Sequence, residues 1–150
     1  MDKNDEHPER EPLRELAAEL QSVVGRLKRR LREEATAGDL TPSQFSVLRR
    51  LERDGSATVT ALARAEGMRP QSMSANIAAL QALDLVIGTP DPSDGRQMIQ
   101  SLTPHCRESL KQGRAARQDW LLRTIQARLT PQEQDDLARG IALLERLVDT

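Results

Sequence analysis

Aromatic residues and cysteine are almost missing from this chain of 150 residues, which has one Phe, one Trp, one Cys and no Tyr. A single cysteine, Cys106, excludes an internal disulfide framework. With Phe45 and Trp120 as the only aromatics, the core must consist of Leu, Val, Ile, Ala and Met, which is typical of packed helices. We therefore expect a mostly α-helical protein whose core needs no covalent cross-link.

Long apolar runs are also missing. None approaches the roughly 18 residues of a membrane span. Residues 1–12 are acidic and lack the apolar segment of a secretory signal. These absences predict a soluble cytoplasmic protein without a membrane partner. Residues 1–10 are predicted to be a disordered tail, because their polar composition cannot bury enough apolar surface.

The chain lacks the constellations that catalysis and metal binding require. His7, His105 and Cys106 do not have the spacing of metal ligands. No Gly-rich phosphate loop and no nucleophile–base–orienting set is present. The sequence therefore predicts no cofactor, no metal and no catalytic residue, and it disfavours an enzyme.

An excess of positive charge, the usual mark of a nucleic-acid-binding protein, is missing as well. The formal net charge is −1. Residues 58–97 contain three arginines and four carboxylates: Arg64, Arg69, Arg96, Glu66, Asp84, Asp91 and Asp94. This balance favours an alternative function, a protein-interaction module. A DNA-binding function must be inferred from pattern rather than charge.

Hydrophobic periodicity and turn residues predict six helices and a β-hairpin. Capping-box spacings occur at Thr41 and Thr130. The predicted elements, in order, are a long amphipathic helix over 13–36 that stops at Gly38, a helix from Thr41-Pro42 to Asp54-Gly55, a short strand at 57–59, a helix that opens at Leu62-Ala63 and breaks at Glu66-Gly67, a helix from Arg69-Pro70, strands at 85–87 and 98–102 around a loop at 89–95, and helices that open at Thr103-Pro104 and Thr130-Pro131.

The fourth predicted helix has an unusual outer face. The spacing of Met73, Ile77, Leu80 and Leu83 predicts that these side chains are buried. The opposite face consists of small or uncharged residues, namely Gln71, Ser72, Ser74, Ala75, Ala78, Ala79 and Ala82. Such a face suits a helix that enters the major groove of DNA, because small residues permit close approach and Gln, Ser and Ala can contact base edges. An Ala-rich helix packed on both faces in a bundle is the structural alternative.

A helix, a turn with Gly, a second helix and a hairpin follow one another between residues 41 and 103. This order is that of a winged helix-turn-helix. The predicted fold class is therefore mostly α with a small β-hairpin: a winged helix-turn-helix lobe over 41–103 within a six-helix, α+β domain over 11–150.

Several motifs in this region resemble the MarR family of bacterial regulators. They are Leu62-Ala63, Gly67-Met68, Ser74, Leu80, Leu85-Val86, Asp91-Pro92, Asp94-Gly95-Arg96 and Leu102-Thr103-Pro104. The resemblance covers about residues 13–149, and its most specific part is the wing, where Asp94 and Arg96 precede Leu102-Thr103. It implies that Arg96 reaches into the minor groove and that Asp94 orients it. It also implies an intertwined homodimer built from the helices at 13–36 and 104–149, and the apolar stripes of these helices independently favour such an interface.

Together these observations predict a sequence-specific regulator, a repressor, that binds double-stranded DNA. Two recognition helices of a homodimer would lie in major grooves about one turn apart on a pseudo-palindromic operator. The resemblance to the MarR family further implies that a small aromatic or phenolic effector would release the DNA. The residues predicted to contact DNA are Arg69, Gln71, Ser72, Ser74, Ala75, Asp94, Arg96 and Gln97.

Three positions depart from the family pattern. Asp84 stands where the family usually has Gly, Ile87-Gly88-Thr89 stands where one or two arginines are usual, and Cys106 replaces a frequent Gly. The wing is therefore less basic than in the family. DNA affinity is expected to depend more on Arg69, Arg96 and the first helix.

Three further features allow two interpretations. Cys106 is expected to be an inert structural thiol rather than a redox sensor. The basic run from Lys28 to Arg32 is expected to be a solvated helix face rather than a phosphate contact. Trp120 fits a ligand pocket between the dimerisation helices and the lobe as well as it fits a core.

Overall fold

A computed structural model describes residues 10–35 and 40–149. The predicted tail, apart from Arg10, and the predicted stop at Gly38 lie outside the described residues. The elements are α1 (Glu11–Glu34), α2 (Pro42–Asp54), β1 (Ala57–Thr58), α3 (Val59–Ala65), α4 (Pro70–Ala82), β2 (Val86–Pro90), β3 (Met98–Leu102), α5 (Pro104–Arg128) and α6 (Pro131–Val148). The described part of the chain thus has six helices and a small sheet, which confirms the predicted fold class.

The chain divides into two compact units. One unit spans residues 37–115, and the other combines residues 1–36 with 116–150. We call them the lobe and the helical unit. The predicted winged helix-turn-helix, 41–103, lies within the lobe. Helix α5 begins in the lobe and continues into the helical unit.

The lobe has one apolar core. Leu48, Leu62, Met73 and Leu80 are at most 1% exposed. They come from α2, α3 and α4, and Val86, Leu102 and Cys106 join them from the sheet and the start of α5. Burial of a side chain of this size contributes about 1.5–3 kcal/mol. The core therefore holds three helices and the sheet in one arrangement.

Two capping boxes set the starts of α2 and α6, as the sequence predicts. The backbone N–H of Gln44 donates to the Thr41 hydroxyl at 3.1 Å, and the Thr41 N–H donates to the Gln44 side-chain oxygen at 3.1 Å. Thr130 and Glu133 make the same reciprocal pair at 3.2 and 2.8 Å. These bonds satisfy N–H groups that the helix itself leaves without partners.

The predicted short strand and the predicted hairpin form one sheet of three antiparallel strands in the order β1-β3-β2. The predicted strand at 57–59 is shorter by one residue, because the Thr58 hydroxyl caps α3 and that helix begins at Val59 rather than near Leu62. The predicted loop at 89–95 is also corrected, since Thr89 and Pro90 pair with Ile99 and Met98.

Leu83 is a further correction, because its side chain is 55% exposed rather than buried. Helix α4 ends at Ala82, and at about 100° per residue Leu83 lies about 80° from Met73 around the helix axis. The apolar stripe of α4 therefore ends at Leu80. Sequence periodicity extended it by one turn too many.

The backbone conformation of the turn after α4 explains why Asp84 can stand where the family usually has Gly. This residue has φ 58°, the left-handed region that favours glycine and that Asp tolerates better than most residues. The Asp84 carbonyl accepts a 2.6 Å hydrogen bond from the buried Thr103 hydroxyl, which itself accepts from the Cys106 N–H at 3.0 Å. Thr103 thereby joins the α4–β2 turn to the start of α5.

Replacing Thr103 by Val tests this junction. The substitution keeps the shape of the side chain but leaves the Asp84 carbonyl and the Cys106 N–H without their partner. We expect a loss of about 1–3 kcal/mol in the free energy of unfolding. Urea denaturation at one protein concentration measures it. The exposed Thr89→Val in β2 is the matched control and should change stability by less than about 0.5 kcal/mol. Equal unfolding midpoints for the two variants would contradict the junction.

The helical unit exposes its apolar side chains. Neither α1 nor α6 contains a buried residue. Their exposed large apolar residues are Leu13, Leu16, Val23, Val24, Leu27, Leu137, Ile141, Leu143, Leu144, Leu147 and Val148. In the described part of the chain, no helix is long and apolar enough to cross a membrane.

Candidate DNA-binding surface

Helix α4 separates a buried side from an exposed side. Met73, Ile77 and Leu80 are 0%, 4% and 0% exposed. The residues predicted on the opposite face are exposed, namely Gln71, Ser72, Ser74, Ala75, Ala78 and Ala82, and only Ala79 is partly buried. Arg69 is the residue before the first turn, and its side chain is exposed. The predicted orientation of α4 is thus the observed one.

A polar contact that the sequence did not reveal holds α4 against α2. The Asn76 side-chain amide donates to the Ser43 hydroxyl at 2.9 Å, and this hydroxyl lies 3.3 Å from the Met68 sulfur. Within residues 75–80 of α4, Asn76 is the one amide among Ala, Ile and Leu, and this was the signal in the sequence. The contact therefore fixes the rotation of α4 about its own axis, and with it which face is buried and which is exposed.

In the turn between α3 and α4, a negatively charged side chain is paired with a positively charged one. Gly67 has φ 63°, a conformation suited to glycine, and the Met68 N–H donates to the Ala63 carbonyl at 2.8 Å. Glu66, just before it, accepts from Arg50 Nε at 2.9 Å and from the Ser46 hydroxyl at 3.1 Å. The carboxylate is thereby paired on the α2 side of the turn.

Side-chain carboxylates also shape the tip of the wing. Asp91 accepts from the backbone N–H and hydroxyl of Ser93 at 2.9 and 2.8 Å, and these bonds lower the pKa of Asp91. Asp94 accepts from the backbone N–H of Arg96 at 3.1 Å, and its carbonyl accepts from Gln97 at 3.0 Å. Both aspartates therefore support tight turns in the loop.

Arg96 projects from this loop into solvent. Its side chain is 95% exposed, and its Nε lies 3.8 Å from an Asp94 oxygen. Asp94 thus contacts Arg96 mainly through the backbone hydrogen bond. The guanidinium therefore remains accessible to an anionic group or to a groove of a partner molecule.

A groove of about 400 Å³ lies between α3, α4 and the wing. It brings together three of the predicted residues, Ser74, Arg96 and Gln97, whereas the lining does not include Arg69, Gln71, Ser72, Ala75 or Asp94. Its lining also contains polar residues that the sequence analysis missed, namely Thr58, Thr60, Gln81 and Gln100.

Most carboxylates near α4 have hydrogen-bond partners. Of the four in residues 58–97, Glu66 is paired with Arg50, and Asp91 and Asp94 accept bonds within the wing loop. The arginines Arg64, Arg69 and Arg96 are exposed. The surface around α4 is therefore more favourable to an anion than the net charge of the sequence indicates.

Cys106 is a buried thiol. It is 1% exposed, and burial raises its pKa from 9.0 to about 11, with a further contribution from the nearby Glu52 carboxylate. Its backbone N–H belongs to the first turn of α5. The interpretation of Cys106 as an inert thiol agrees with this environment. Within residues 10–35 and 40–149, no group of three or more His, Cys, Asp or Glu could hold a metal, and His7 lies outside these ranges.

A thiol with this pKa should resist alkylation. At pH 8 a thiol whose pKa is about 11 is almost entirely protonated, and the buried sulfur is shielded from reagent. Ser109→Cys in the background Cys106→Ala places a thiol at an exposed position of the same helix. We expect iodoacetamide to modify that control far faster than native Cys106, as followed by mass spectrometry. Similar rates in the two folded proteins would contradict the burial of Cys106.

Trp120 lies within the helical unit. It is partly exposed, and the Arg30 guanidinium sits 5.4 Å from the centre of its ring. Arg30 also pairs with Glu33 and Glu34 at 3.1 and 2.8 Å. Arg30, one residue of the basic run, thus has side-chain partners within the helical unit, as is expected for a residue on a solvated helix face.

A helix-turn-helix with an exposed, uncharged second helix beside a β-wing defines a winged-helix DNA-binding protein. The model of the MarR family matches residues 38–97. An HTH-type transcriptional regulator of Mycobacterium bovis is 39% identical over 134 residues, covering 89% of this chain and 93% of its own length. The chain belongs to the MarR family of transcriptional regulators, which are DNA-binding proteins and not enzymes.

Solved structures agree with this assignment. A transcriptional regulator of Pseudomonas aeruginosa has a TM-score of 0.78 and 37% identity, covering 91% of this chain and 96% of its own. A mutant of the Staphylococcus aureus regulator MepR, solved bound to an oligodeoxyribonucleotide, has a TM-score of 0.70 and 18% identity, covering 88% of this chain and 97% of its own. The resemblance inferred from the wing motifs is therefore confirmed.

Proposed function

We propose that the protein is a homodimeric repressor that binds a pseudo-palindromic operator in the cytoplasm and is released by a small ligand. The observation that supports it most is the position of α4. Its uncharged face is exposed beside a groove whose other wall contains Arg96. A helix so placed can enter the major groove while the wing follows the adjacent minor groove.

Most of the residues predicted to bind DNA have a proposed contact on this surface. Ala75 can contact a thymine methyl group, and Gln71, Ser72 and Ser74 can hydrogen-bond base edges or phosphates. Arg69 and the backbone N–H groups of the first turn of α4 would bind phosphate. Arg96 would enter the minor groove from a loop shaped by Asp94, and Gln97 lines the same groove of the protein as Arg96.

The exposed apolar stripes of α1 and α6 support the homodimer. Leu16, Ile141 and Leu147 are 61%, 48% and 66% exposed in the single chain, although each is large and apolar. A second copy of the chain would cover such stripes, since monomeric proteins rarely leave extended apolar patches in water. The two lobes of the dimer would then each contact one half-site.

The proposed effector is a small aromatic or phenolic molecule. One support is a relative: a MepR-like protein, 28% identical with a TM-score of 0.52, was solved with pseudoligands. Another is the partly exposed Trp120, whose ring could stack on an aromatic effector. Binding would favour a dimer whose lobe spacing no longer fits the operator.

Arg96→Ala tests the wing contact. We expect a loss of about 1–3 kcal/mol in binding free energy for an operator duplex, because a groove contact is removed. Fluorescence anisotropy measures the affinity, and sedimentation velocity should show an unchanged dimer. The control is Arg107→Ala, an exposed arginine on α5, with expected affinity close to wild type. Equal affinity of the two variants would contradict the wing assignment.

Leu147→Asp tests the dimer. The side chain is 66% exposed, so the change should leave the protomer folded while placing a charge in the proposed interface. We expect the sedimentation coefficient to shift toward that of a monomer and operator affinity to fall. Gln132→Asp, at an exposed polar position of the same helix, is the control and should remain dimeric. A dimeric Leu147→Asp protein would contradict an interface at this stripe.

A further inference from the structure

A glutamine occupies the core-facing side of the wing's central strand. Side chains alternate along β3, and Gln100 shares a face with Leu102. Leu102 is 5% exposed and Gln100 only 2%. A buried amide needs hydrogen-bond partners and costs free energy without them, so an apolar side chain would be the ordinary choice here.

Small neighbours make room for this amide. Gln100 pairs with Ala57 of β1 on one side and with Gly88 of β2 on the other. A methyl group on Gly88 would lie 3.1 Å from the Gln100 side-chain nitrogen and 3.3 Å from its oxygen. Gly88 is one of the positions at which the sequence departs from the family pattern. Its lack of a side chain leaves room for the side chain of Gln100.

The partner of Gln100 comes from the recognition helix. The Gln81 side-chain nitrogen, on the last turn of α4, donates to the Gln100 oxygen at 3.2 Å. It lies 3.4 Å from the Cβ position of Gly88. Gln81, Gln100 and Arg96 all line the groove between α4 and the wing. A side-chain hydrogen bond thus crosses directly from the recognition helix to the wing.

We propose that this Gln81–Gln100 pair positions the wing, and hence Arg96, relative to the recognition helix. The proposal rests on the DNA-binding function of Arg96 argued above. Arg96 precedes Gln100 by four residues, in the turn that leads directly into β3 at Met98. A small rotation of the strand at Gln100 therefore becomes a larger displacement of the guanidinium. The pair thereby fixes the angle between α4 and the wing, and so the way in which the two elements enter adjacent grooves of the DNA.

A double-mutant cycle tests the proposal with the full chain and a duplex that the wild-type protein selects from a random-sequence DNA pool. Gln81→Met keeps the length of the side chain and removes its amide. In the wild-type background we expect Arg96→Ala to weaken binding about tenfold. In the Gln81→Met background, the same change should weaken it less than about threefold, because Arg96 is no longer held in place.

Gly88→Ala is a second, independent perturbation, since it displaces the Gln100 amide without altering Gln81. It should reduce the effect of Arg96→Ala in the same way. Gln118→Met, an exposed glutamine of α5 outside the lobe, is the matched control and should leave the tenfold effect intact. Circular dichroism melting identifies variants that are unfolded at the assay temperature, and the assay is run below the lowest melting point.

The outcomes separate the inference from the proposed function. Additive effects of Arg96→Ala with both Gln81→Met and Gly88→Ala would overturn the inference. They would mean that Gln81 contacts DNA by itself or does not matter. If the wild-type protein enriches no sequence from the pool, the proposed function fails, and the inference fails with it. Reduced effects in both backgrounds, together with a normal effect beside Gln118→Met, are the expected result.

Discussion

Burial of Met73, Ile77 and Leu80 is the constraint on which the DNA-binding surface depends. These side chains are at most 4% exposed, and each contributes about 1.5–3 kcal/mol of burial free energy. They set the rotation of α4, and Asn76 fixes it further through Ser43. The face with Gln71 and Ala75 is exposed as a consequence. Rotating α4 would bury that face and expose the stripe.

For DNA binding by this lobe, the positions of the charged side chains matter more than the net charge. A net charge of −1 does not suggest a DNA-binding protein, and the wing has few arginines. The structure pairs Glu66 with Arg50 and uses Asp91 and Asp94 as acceptors within the loop. Arg69 before α4 and Arg96 in the wing loop remain exposed. Phosphate and groove contacts can therefore form although the chain is almost neutral.

Local patterns predicted much of this fold. Capping boxes at Thr41 and Thr130 gave the starts of two helices, and the wing motif around Asp94 and Arg96 led to the correct family. Long-range contacts could not be predicted. The pairing of β1 with β3 and the Gln81–Gln100 hydrogen bond join residues far apart in the sequence, and periodicity contains no information on such pairs. Leu83 was assigned to the core because a pattern does not show where a helix ends.

Chemical footprinting of the selected duplex tests most directly whether α4 enters the major groove and the wing the minor groove. Dimethyl sulfate methylates guanine N7 in the major groove and adenine N3 in the minor groove. For a dimer of this lobe, we expect two blocks of guanine protection whose centres lie about 10 base pairs, or a multiple of that, apart, each flanked by protected adenines. Protection of a single block, or of the backbone without any protected base, would contradict the account.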